Sequence, residues 1–187
     1  REECLLIGAR EQQHKVQMAF DSDGVMVGLR DHVLANIGAP SACPGWGMVF
    51  LTGLTMPGPY KVENIDVHMN AVTTNKPSWN AARGYGKEST AIALELAMDN
   101  AARQLGISPI DLRLKNFIAK DAFPYNSPTG LVYDSGDYSG VLLKALETIG
   151  YQDWKDRQAA ARLEGRYLGI GMAFELTPEG GTIPGTM

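Results

Sequence analysis

The 187-residue chain reads as an α+β protein, a mixed sheet with a β-hairpin and long strands, with its helices grouped after a glycine-rich loop. Three observations carry this. Residues 13–37 read as extended, β-forming runs on either side of Asp21-Ser22-Asp23-Gly24, a strong turn signal. Residues 87–105 place Ala91, Ile92, Leu94, Ala97, Met98, Ala101 and Leu105 at helical spacing. The elements then run β β β α α α α β, with helices together rather than alternating with strands.

Taken in order, His14 to Phe20 and Val25 to Ile37 are the two arms of the hairpin. Gly38 to Gly47 is a loop. Met48 to Leu54 is short and apolar, and its periodicity leaves both a helical turn and a buried segment open. Met56-Pro57-Gly58-Pro59 breaks the chain, Val62 to Val72 alternates as a strand, and Thr73 to Gly86 is a loop. Lys87 to Leu105 is the clearest helix, stopped by Gly106. Ser108 is an N-cap with Pro109 at the first helical position, opening a second helix to about Phe117. Residues 119–136 are rich in turn residues and form a candidate sub-boundary. Helices follow at 138–149 and 153–163. A final alternating strand runs from Tyr167 to Leu176.

The composition is that of a globular chain, 44% hydrophobic and 20% charged, with a net charge of −4. The charges are dispersed, which excludes a nucleic-acid footprint or an anionic-membrane surface. No apolar run reaches the length of a membrane span. Cys4 and Cys43 stand far apart, with no metal or iron–sulfur spacing, and point to a reducing, cytoplasmic compartment. The chain starts at Arg1 and stops soon after its last strand, as expected of a piece of something larger.

The most informative stretch is Pro77-Ser78-Trp79-Asn80-Ala81-Ala82-Arg83-Gly84-Tyr85-Gly86-Lys87. Its glycines leave the backbone bare, and the following helix offers amides and a positive dipole end. By itself Gly84-Tyr85-Gly86 fits a tight loop-to-helix turn as well as the wall of a site. It is not a dinucleotide fingerprint, since Ser89 stands where a third glycine belongs, and Gly86-Lys87-Glu88 is not a phosphate loop. His14, His32 and His68 have no mutual spacing that makes a metal site and read as strand residues. Asp134 reads as a turn residue, and Asp137 or its neighbour as the cap of the next helix. Glu95 and Asp99 read as a solvated pair on an outer helix face, and Trp46 and Trp79 as core anchors.

An ordered set of segments resembles one family. These are Gly58-Pro59-Tyr60-Lys61-Val62, Thr74-Asn75-Lys76-Pro77, Ala82-Arg83-Gly84-Tyr85-Gly86, Ala93-Leu94-Glu95 through Met98-Asp99, and Leu112-Arg113-Leu114-Lys115-Asn116. Phe123-Pro124-Tyr125, Thr129-Gly130, Tyr133-Asp134-Ser135-Gly136-Asp137-Tyr138 and Gly169-Ile170-Gly171 complete it. Together they resemble the large, molybdenum-binding subunit of the xanthine dehydrogenase, aldehyde oxidase and aerobic carbon monoxide dehydrogenase family. The resemblance covers essentially the whole chain, so residues 1–187 are expected to be part of one molybdopterin-binding domain.

The resemblance implies a molybdenum–pterin cofactor in its cytosine dinucleotide form, with [2Fe–2S] and FAD on partner iron–sulfur and flavin subunits. It makes Ala82, Arg83 and Gly84 cofactor-binding and Tyr85 substrate-binding, in a loop spanning 80–87. It assigns no catalytic residue here, because the family's glutamate base belongs to a motif absent from this chain and Glu179 sits in the wrong context. The implied activity of the complete subunit is oxidative hydroxylation of an aldehyde or N-heteroaromatic, with water as the oxygen source. Gly84 stands where carbon monoxide dehydrogenases carry a cysteine, and no arginine falls near Leu51 for a purine, so both of those substrates are disfavoured. The second reading is a non-catalytic module that packs against partner subunits.

Overall fold

A computed structural model describes residues 11–40, 45–80 and 83–176. The hairpin is formed by β1 (Gln12–Phe20) and β2 (Met26–Gly38), which pair antiparallel. Its turn is closed by Asp21, whose side chain accepts from the amides of Asp23 and Val25, each at 2.9 Å, while Gly24 takes φ 79°. Along β1 the half-buried positions are Gln12, His14, Val16, Met18 and Phe20, as a strand with one covered face requires.

The 48–54 segment resolves as helix α1 (Gly45–Leu54), and it carries the chain over to β3 (Ile65–Thr73). That crossover lets β3 pair parallel with β2, giving a three-stranded mixed sheet in the order β1-β2-β3. Helix α1 lies close against β3: a Cβ on Gly53 would meet the Met69 sulfur at 2.0 Å. Helix α2 (Lys87–Leu105) packs on the same face as α1 and ends at Gly106, whose φ of 67° forms the expected stop. Helix α3 (Pro109–Asn116) is capped by Ser108, which accepts from the Ile110 amide at 3.2 Å.

Asn116 joins α3 to the hairpin. Its side-chain amide donates to Gly24 O at 2.9 Å, and its oxygen accepts from the Met26 amide at 2.6 Å. Beyond a 3-10 turn at Lys120–Ala122, β4 (Tyr125–Asn126) and β5 (Val132–Tyr133) form a small hairpin. Helices α4 (Tyr138–Ile149) and α5 (Tyr151–Leu163) follow, with Asp137 accepting from the Gly140 amide at 2.9 Å as the cap of α4. The principal core gathers Met26, Leu29, Tyr60, Leu94, Met98 and Leu112 with Phe117, Tyr133, Tyr138 and Leu142. Residues of the 119–136 tract, Phe123, Tyr125 and Leu131 among them, pack into it.

Two regions depart from what the sequence predicts. Tyr167–Leu176 alternates exposed and half-buried along its whole length, yet it pairs with no strand among the described residues. Met172, Phe174 and Leu176 supply burial against the core, but the backbone has no neighbouring ladder to join. Glu95 is not solvated: it is 3% exposed, because α3 lies over that face of α2 and brings Arg113 against it.

Candidate functional site

The loop Arg83–Gly86 enters α2 through three consecutive left-handed residues: Gly84 at φ 99°, Tyr85 at 51° and Gly86 at 97°. Two are glycines, for which this conformation is unstrained. Tyr85 is not, and among the described residues no other non-glycine has positive φ. Such backbone persists only where its surroundings over-determine it. Here the surroundings can be named.

Gly86 sits against α1 so closely that a Cβ would lie 2.0 Å from Met48 O. Thr52 Oγ1 is 2.9 Å from both Met48 O and Gly86 O, so its single proton is shared between the two carbonyls, while it accepts from Gln12 Nε2 at 3.1 Å. Glu88 reaches back to accept from the Gly86 amide at 3.0 Å. Thr90 donates to Thr52 O at 2.7 Å, and Thr55, whose hydroxyl donates to Leu51 O at 2.8 Å, stands 3.3 Å from Thr90 Oγ1. The first turn of α2 is thereby bolted to α1 by three buried threonines. Sequence reasoning missed Thr52, Thr55 and Thr90, since a threonine in a helix carries no mark of the carbonyl it serves on another element.

Ala82 lies outside the described residues. Arg83 is exposed, and Gly84 is half-buried, with Glu88 so near that a Cβ on Gly84 would meet its carboxylate at 2.2 Å. Tyr85 is half-buried and packs against a small cluster of Ala35, Met48, Val49 and Trp79. Trp79 is indeed a core anchor, 3% exposed and donating its amide to Ile37 O at 2.9 Å, whereas Trp46 is 63% exposed on α1. Lys87 is buried at the positive end of α2.

Behind this loop lies a buried ionic network joining α2 and α3. Arg113, fully buried, donates from Nε to Glu95 at 2.9 Å and from Nη1 to Asp99 at 2.8 Å. Tyr60 donates to the other Glu95 oxygen at 2.5 Å, and the Phe174 amide donates to Glu95 at 2.9 Å. Burial, reinforced by the Glu95 carboxylate, holds the Tyr60 hydroxyl far above its ordinary range. Glu95 thus accepts from three elements and tethers the terminal extended segment to α2. His14, read as a strand residue, contacts the fully buried Asp31 at 2.6 Å through Nδ1 and Gln12 at 3.1 Å through Nε2. Cys4, Cys43 and Glu179 lie outside the described residues.

The loop leaves the half-buried Gly84 main chain without a side chain, carries an arginine at its head and leads into the amino terminus of α2, whereas the buried Gly86 amide and carbonyl are already taken by Glu88 and Thr52. This donor chemistry suits a polar, anionic group held by backbone rather than by a metal-ligand set. The chain belongs to the molybdopterin cofactor-binding domain family, whose model matches residues 1–117. It is 34% identical over 89% of its length to the carbon monoxide dehydrogenase large chain of Afipia carboxidovorans, of which the match covers 22%. It is 32% identical over 96% of its length to the nicotine 6-hydroxylase large subunit of Paenarthrobacter nicotinovorans, again covering 22% of that protein. Among solved structures, quinoline 2-oxidoreductase from Pseudomonas putida 86 superposes with a TM-score of 0.80 and 33% identity, over 88% of this chain and 21% of that one. The chain therefore spans about a fifth of the length of these relatives. Among the described residues, no helix is long and apolar enough to cross a membrane.

Proposed function

We propose that this chain is the part of a molybdenum hydroxylase large subunit that supplies a cofactor-facing and substrate-facing loop, residues 80–87. The observation that carries the reading is the left-handed run Gly84-Tyr85-Gly86 at the start of α2, in a chain of the molybdopterin cofactor-binding family. When bound, the molybdenum–pterin group, read as the cytosine dinucleotide form, supplies the two-electron oxidation that hydroxylation with water requires. The Arg83–Gly84 main chain, with Ala82, would seat that group. Tyr85 would turn its ring toward a flat aldehyde or N-heteroaromatic, its orientation restricted by packing on Met48 and Trp79. The base glutamate and the remaining cofactor contacts would come from the rest of the subunit, and electrons would leave to iron–sulfur and flavin partners. Placement within a larger subunit is supported by Ile92 and Leu96, 63% and 60% exposed side by side on α2 next to edge strand β1.

Two variants of the complete enzyme test the assignment. Gly84→Val forces a branched residue into φ 99° and against Glu88, and is expected to lower molybdenum content. Tyr85→Ala is expected to keep molybdenum content and lower kcat/KM on the order of tenfold or more. Metal analysis beside kinetics separates them. Loss of molybdenum in Tyr85→Ala, or full occupancy in Gly84→Val, overturns the corresponding role.

A further inference from the structure

We propose that the open face of the sheet carries a divalent transition-metal site formed by His32, Asp66 and His68. The parallel register sets His32 of β2 directly beside His68 of β3, with Asp66 two residues before His68 and therefore on the same face. This face is turned away from α1 and α2, since Asp31, Val33 and Ala35 of β2 point into the interior. The two imidazole centroids are 5.0 Å apart at an interplanar angle of 77°, and one ligand atom from each of the three residues falls within 4.8 Å of the others.

The donor set decides the ion. Two imidazole nitrogens and one carboxylate oxygen, without a thiolate, suit zinc, nickel or copper rather than calcium or magnesium, which take oxygen ligands. His68 Nε2 and Asp66 Oδ1 already lie 3.0 Å apart, close to the spacing two donors of one ion would take. Donors around a tetrahedral zinc, with bonds of about 2.0–2.2 Å, stand roughly 3.3 Å apart. The closure needed is small, and the side chains that make it are solvent-exposed or half-exposed.

Two cations on this face oppose the site. Arg30 holds the second Asp66 oxygen through Nε at 2.8 Å, and Lys15 lies opposite His32 in the antiparallel register. Arg30 leaves Oδ1 available but lowers the negative charge an incoming ion meets. Its removal is therefore expected to tighten metal binding, by restoring charge to the carboxylate that faces the ion.

The test is equilibrium dialysis of the complete subunit against zinc alone, with molybdenum quantified in the same samples. Wild type is expected to take up one zinc per chain more than the His32→Ala/His68→Ala double variant. Arg30→Gln is expected to bind zinc severalfold more tightly. Circular dichroism melting checks that the variants remain folded, as exposed substitutions should. Equal zinc uptake by wild type and the double variant overturns the proposal. An Arg30→Gln affinity no higher than wild type removes Asp66 from the ligand set and overturns the three-ligand site.

Discussion

A Cβ at Gly86 would stand 2.0 Å from the Met48 carbonyl oxygen, and the residue's φ is 97°. Space and backbone conformation thus exclude every other amino acid, and the obstructing atom is main chain that cannot step aside. Gly86→Ala is expected to destabilise by about 1–3 kcal/mol, read as a fall in thermal midpoint, with a parallel fall in molybdenum content of the complete enzyme. The second residue-scale prediction concerns Arg113. Removing its guanidinium leaves Glu95 buried without its cation, so Arg113→Ala is expected to cost about 3–5 kcal/mol in chemical denaturation. Asp99→Asn touches a partner that is 28% exposed and is expected to cost less than about 1 kcal/mol. A similar loss for both variants would mean that the network does not centre on Glu95.

Among elements, the junction of α1 with the start of α2 matters most. Thr52 reaches Met48 O, Gly86 O and Gln12, and so touches α1, the loop and β1 together. Thr52→Val keeps the shape and deletes the hydroxyl. The Gly86 carbonyl keeps the Ser89 amide at 3.2 Å, so the expected cost is that of the lost hydroxyl hydrogen bonds, about 0.5–1.5 kcal/mol. The more informative readout is amide hydrogen exchange, where protection of the 83–90 stretch should fall before that of α3. A uniform loss across the chain would show that the threonine stabilises the fold without holding the loop. Helix α2 itself was legible from its periodicity, with its Gly106 stop, because both are written in contiguous residues. The contacts of Thr52 with Gly86 O and of Thr90 with Thr52 O were not, because each joins residues more than 30 positions apart.

For the molecule as a whole, the buried tyrosines of the main core set an alkaline limit. Burial, and then the charge of Asp134, pushes the Tyr138 hydroxyl from its ordinary 10.0 up to about 12. Burial raises Tyr60 and Tyr133 as well. A hydroxyl raised in the folded state contributes stability that is fully present below its unfolded value and lost as pH rises through the folded one. Stability is thus expected to decline between about pH 10 and 12. The Tyr138 hydroxyl has no hydrogen-bond partner among the described residues, so Tyr138→Phe removes one source of that decline without breaking a bond. The variant should match wild type within about 1 kcal/mol at neutral pH and exceed it above about pH 10, measured by denaturation across that range.

What could be read from the chain and what required the fold divide along sequence distance. The hairpin with its Asp21 turn, the Ser108 and Asp137 caps and the span of α2 follow from neighbouring residues, since turn chemistry, capping and helical periodicity are local. So does the family, which rests on short motifs in a kept order. The parallel pairing of β3 with β2 is different. Its crossover helix had an ambiguous apolar run, and no local pattern sets two strands 36 residues apart in register. That register alone brings His32 to His68. The burial of Glu95 belongs to the same class, because Arg113 reaches it from 18 residues away and turns an apparent surface pair into the centre of a core network. The terminal segment shows both sides at once. Its alternation is local and present in the fold, while strand pairing is a relation between two segments, and it finds no partner strand among the described residues.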